Sequence, residues 1–140
     1  MKKLAIVTVV AGLLLVAAAC GSGGGSADTG KVIKSAQAGN LTVTLSSSDG
    51  VLKHGDSEFF LSFKDASGKA VDVGAVALNF YMPQMGTMAA MNDHASFTTT
   101  NTPGVYRSKA KIEVAGEWQA QVTYEGPAGS GKTSFTVTAQ

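Results

Sequence analysis

The sequence predicts an all-β domain, an immunoglobulin-like antiparallel β-sandwich of about seven strands. Three observations predict it. Short runs alternate apolar and polar residues at roughly ten-residue spacing. Clusters of Gly, Asp, Ser and Pro fall between those runs. No stretch beyond the N-terminal leader shows helical periodicity. A small closed barrel is the alternative architecture.

The leader comes first. Lys2 and Lys3 precede an apolar run from Leu4 to Val16, then Ala17, Ala18, Ala19 and Cys20. This is the three-part layout of an export signal. The apolar run is short for a bilayer core of about 30 Å, which needs about 20 apolar residues in a helix. The arrangement resembles the lipobox of bacterial lipoproteins, with Ala17 where leucine is commonest. That resemblance implies cleavage after residue 19, acylation of Cys20, an extracytoplasmic location and a lipid anchor in a bacterial membrane. Cys20 is the only cysteine, so no internal disulfide can form. Residues 20–30 are small, Gly/Ser-rich and polar, a flexible tether.

Residues 31–140 suit one small domain. Alternation marks strands at residues 41–45, 76–80 and 118–124 and, weakly, 105–114; an apolar run marks 58–64, a short β-branched run 96–100, and Phe135 and Val137 a seventh. Without the leader the chain holds nine basic and ten acidic side chains, scattered singly. A nucleic-acid partner would require a basic stripe, and none occurs. If successive strands run antiparallel, loops 49–57, 83–94 and 114–117 share one end of the sandwich. Loops 65–74, 101–104 and 126–131 share the other.

The chemistry concentrates in one window. Apart from Met1, every methionine lies at 82, 85, 88 or 91, and the next step of three lands on His94. Thioethers are poor ligands for hard cations and suit soft Cu(I), which accepts two to four S or N donors. Met82, Met85, Met88, Met91 and His94 are therefore candidate Cu(I) ligands. His94 could instead join Asp93 and His54 in a Cu(II) site. Pro83 and Gly86 disfavour a helix, and a polyproline-II or turn-rich path would line every third side chain along one edge. Continued alternation from Phe80 puts Met82 on the buried face, so it is open to packing as well as ligation. Trp118, beside turn 114–117, is open to a core role or to an aromatic face near the cation. The same window could be a Met-lined docking surface without metal, or a sink for oxidants.

The segments Tyr81-Met82-Pro83-Gln84-Met85-Gly86, Gly104-Val105-Tyr106 and Gly116-Glu117-Trp118 resemble the YtkA-like family, related to FixH-like proteins. The resemblance covers about residues 40–138. It implies a small immunoglobulin-like domain of bacterial envelopes, often associated with copper handling or respiratory-oxidase assembly. By position, Met82, Pro83, Met85 and Gly86 match the family segment. A histidine often follows that glycine in the family; here Thr87 and Met88 stand in its place.

Residues 126–133, Gly-Pro-Ala-Gly-Ser-Gly-Lys-Thr, spell a phosphate-loop expression. A β-branched stretch follows where a helix would be needed, so no nucleotide is expected. No triad, paired carboxylates or zinc-protease signature is present, and the expectation is a protein that is not an enzyme.

Overall fold

The computed structural model describes residues 29–140. The leader, Cys20 and most of the tether lie outside the described residues. Nine strands run in chain order: β1 (Lys31–Ala38), β2 (Leu41–Ser47), β3 (Gly55–Lys64), β4 (Ala75–Met82), β5 (Met91–His94), β6 (Ser96–Thr99), β7 (Val105–Ile112), β8 (Gly116–Gly126) and β9 (Gly129–Ala139). They form two antiparallel sheets, ordered β1-β2-β3-β7-β6 and β5-β4-β8-β9.

Alternation builds the core, because successive side chains in a strand point to opposite faces. Leu41, Val43 and Leu45 of β2, Phe59, Leu61 and Phe63 of β3, and Ile112 of β7 face inward from one sheet. Leu78 and Phe80 of β4, Trp118, Ala120 and Val122 of β8, and Val137 of β9 face them from the other. Edge-to-face aromatic pairs join the sheets, Phe59 with Phe80 at 5.6 Å and Phe63 with Tyr124 at 5.4 Å between ring centroids.

Two strands exceed the sequence expectation. β1 escaped it because a bulge between Val32 and Lys34 breaks the alternation, and the strand lies exposed at the sheet edge. β5 escaped it because Asn92 and Asp93 are poor strand formers. Residues 83–94 are accordingly not one loop. After β5 the chain crosses to the other sheet at Ala95, whose N–H donates to the Leu78 carbonyl at 3.0 Å. β5 and β6 are thus two halves of one bent segment serving as an edge of both sheets.

The loops divide between two ends as strand alternation requires. Loop 48–54, the β4–β5 turn and residues 113–115 lie at one end. Loop 65–74, residues 100–104 and the β8–β9 turn lie at the other. The latter end is stitched tightly. The Tyr106 hydroxyl meets Asp72 Oδ1 and the Gly74 carbonyl, each at 3.1 Å. Gly104 adopts φ +80, and a Cβ there would lie 2.4 Å from the Val71 carbonyl oxygen, so no larger residue fits. Burial, then the bond to Asp72, raises the Tyr106 pKa above the usual phenol range.

Candidate functional site

The methionine window is a β-hairpin. In the β4–β5 ladder Met82 pairs with Met91, Tyr81 with Asn92, Phe80 with Asp93 and Asn79 with His94. At the tip Met85 and Met88 form a further antiparallel bridge. Met88 N–H donates to the Met85 carbonyl at 2.9 Å, and Met85 N–H to the Met88 carbonyl at 3.1 Å. Gly86 and Thr87 are the two central residues. Gly86 has φ +56 and Thr87 does not have positive φ, the pattern of a type II′ turn with glycine at its first central position.

This geometry corrects the expectation of a single edge lined by every third side chain. A three-residue spacing centred on a two-residue turn makes the methionines cross-strand partners, Met85 with Met88 and Met82 with Met91. They form two pairs and not one row. Directly opposed residues send their side chains from the same face of the ribbon. The three-residue step between Met82 and Met85 changes parity and separates the pairs.

The fates of the pairs differ accordingly. Met82 is 2% exposed and part of the core, with its methyl 3.3 Å from where a Cβ on Gly116 would sit. Met91 is half-buried and packs against the same core. Met85 and Met88 are 53% and 45% exposed. In a doubly hydrogen-bonded pair the Cα atoms lie about 5.5 Å apart, so two flexible thioethers can converge on one point.

The remaining candidates stand apart from that tip. His94 is exposed on the edge strand, three residues beyond Met91, a separation of about 10 Å along a strand. It borders a shallow cleft with Asp56, Glu58, Ser96, Lys109 and Lys111 on the neighbouring sheet. Asp93 points the other way, its Oδ2 accepting the Glu113 N–H at 3.0 Å. His54 lies at the same end as the hairpin, but its Nδ1 and backbone N–H both meet the Gln140 carbonyl, at 3.0 and 2.9 Å. The Cu(II) grouping of His94, Asp93 and His54 is therefore not assembled. The described residues contain no cluster of three His, Cys, Asp or Glu side chains able to hold a metal.

Trp118 is fully buried, and its indole N–H donates to the Val114 carbonyl at 3.0 Å. That bond pins turn 113–115 onto the core, and the ring offers no face to the exposed tip. The Gly-x-Trp segment is scaffold, as is Gly-x-Tyr at the opposite end. Loop 48–54 holds itself in place through Asp49. Hydrogen bonds from Lys53 and then Ser47 lower its pKa to about 2.

Residues 126–133 form the end of β8, a two-residue turn and the start of β9. The segment has no helix N-terminus of the kind a phosphate loop uses.

The YtkA-like family model matches residues 35–123, well over half of the chain. No curated protein and no solved structure matches. The matched span runs from the middle of β1 to the later part of β8 and includes the whole methionine hairpin.

Proposed function

The chain belongs to the YtkA-like family, and we propose that it is a copper-binding protein that holds Cu(I) at its Met85–Met88 turn. The observation that carries this reading is the exposed cross-strand pair itself. Two apolar side chains stand in solvent on a tight turn, while the methionines directly behind them are drawn to the core. Thioether donors select soft ions over the hard divalent cations. Unlike thiols they do not pair into disulfides, so they remain usable in an oxidising compartment.

In this reading Met85 and Met88 bind the ion. Met82 and Met91 anchor the hairpin base, so that the turn keeps its position. His94 stands too far along the ribbon to join the same ion, and it would serve only a second, weaker contact. The ion is cargo. Cys20, once acylated, would hold the domain at an extracytoplasmic membrane surface, placing delivery, sequestration or handover beside membrane proteins that handle copper or assemble an oxidase. No catalytic step is assigned.

The test is Cu(I) competition with a chromogenic chelator under reducing conditions, with wild type beside Met85→Leu/Met88→Leu. Leucine keeps most of the apolar volume and removes both sulfurs. The variant should lose at least about tenfold in affinity, a change of roughly 1.4 kcal/mol. Equal affinity in both proteins sinks the assignment.

The exposure of the same two side chains also favours a second reading, a docking module for an efflux or oxidase-assembly complex with no metal involved. A partner that binds the wild type and the leucine variant equally well without copper would favour docking.

A further inference from the structure

We infer that the Met85–Met88 turn is half of a metal site, completed by the same turn of a second copy of this chain. One soft monovalent ion then lies between two hairpin tips and is held by four thioethers. This rests on the Cu(I) reading above and adds to it the identity of the missing donors.

The donor count drives the inference. The turn supplies two neutral sulfurs, and no other candidate ligand among the described residues joins them. Met82 is sealed in the core, and Met91 packs against that core. His94 lies along the ribbon beyond Met91, and the His54 ring is held by the Gln140 carbonyl. A soft ion held by more than two donors must therefore draw the rest from outside the described residues, with water a poor substitute for sulfur.

A second copy suits the role of supplying the further donors for three reasons. Met85 and Met88 are reciprocal partners across the turn, each donating to and accepting from the other. A two-fold axis at the tip therefore brings one pair onto an identical pair, the self-complementary contact of a C2 dimer. The two turn residues and the two after Met88 are small, Gly86, Thr87, Ala89 and Ala90, so two tips can approach closely on that side. There is also no charged residue between Asp72 and Asp93, so the hairpins bring no like charges together. A shared lipid surface would raise the local concentration of copies further.

Residues 29–140 carry the nine described strands and the core they enclose, so this span is the protein to use. It is titrated with Ag(I), a redox-inert probe, and with Cu(I) under reductant, while mass is followed by sedimentation equilibrium. The mass should double as half an equivalent is added, and fall back as excess metal gives each chain its own ion. Met85→Leu/Met88→Leu should stay monomeric at every ratio, with an unchanged melting temperature reporting an intact fold. One-to-one binding at monomer mass throughout overturns the shared site and leaves the Cu(I) reading standing. A metal-induced dimer that the double variant forms equally well also overturns it. Absence of any binding that depends on Met85 and Met88 removes both readings.

Discussion

Base and tip of the β4–β5 hairpin carry the same residue type in the same pairing and use it in opposite ways. At the base Met82 and Met91 face the core; at the tip Met85 and Met88 face solvent. One pair continues the inward alternation of Leu78 and Phe80, while the other rides on a turn that projects past the paired strands. Residue identity therefore does not decide the role. Position relative to the turn does, because parity along a ribbon assigns each side chain to a face.

The largest effect should come from truncating the base. Met82→Ala should destabilise the fold by about 2–5 kcal/mol, since it leaves a cavity beside Gly116 and the core. Met85→Ala or Met88→Ala should shift stability by no more than about 0.5 kcal/mol. Urea unfolding of the three variants measures both, and comparable losses at base and tip would erase the distinction. Next in size is the turn. Gly86→Ala meets open space but must hold φ +56, a strain of about 1–2 kcal/mol. It should also weaken Cu(I) binding, because the two sulfurs lose their fixed partner geometry. A variant that melts like wild type and binds as tightly would show that the turn does not organise the pair.

Oxidation sharpens the contrast without any metal. Under dilute peroxide, peptide mapping should find sulfoxide at Met85 and Met88 well before Met82, with little loss of stability at that stage. Early oxidation of Met82 would mean that the base opens. The smallest effect belongs to the far end of the sandwich. Neither methionine pair titrates, whereas the folded state holds Tyr106 neutral to higher pH than the unfolded chain does. The stabilisation is full below the unfolded pKa of about 10 and is lost as pH rises through the raised folded value. Tyr106→Phe should flatten that alkaline decline in the wild-type melting profile.

Much of this was legible in the residues. β2, β4, β8 and the distal half of β9 alternate because one face is buried, β3 shows as a phenylalanine-rich run, and their side chains form the observed core. The sharing of loops between the two ends followed from antiparallel alternation alone. β1 was hidden by its bulge, and β5 by the polar pair Asn92 and Asp93. The methionine window stands out in the sequence but its geometry does not, since a three-residue step suits both a polyproline-II edge and a mirrored hairpin. The signal that separates them is a glycine at the centre of symmetry, Gly86, with a non-glycine behind it. Nothing in the spacing could have told that His54 would be engaged by Gln140, because that contact joins residues 86 positions apart.

The bend at Ala95 has a consequence for how such molecules behave when crowded. Open strand edges invite neighbours to add strands, the usual start of aggregation. Here the two halves of the bent segment, each four residues long, close one side of the sandwich, and β1 lies against β9 on the other. The bent segment offers another chain only two short edges, and the bulge between Val32 and Lys34 interrupts the edge of β1. A dense layer of copies on one surface could then touch through their turns without their sheets fusing.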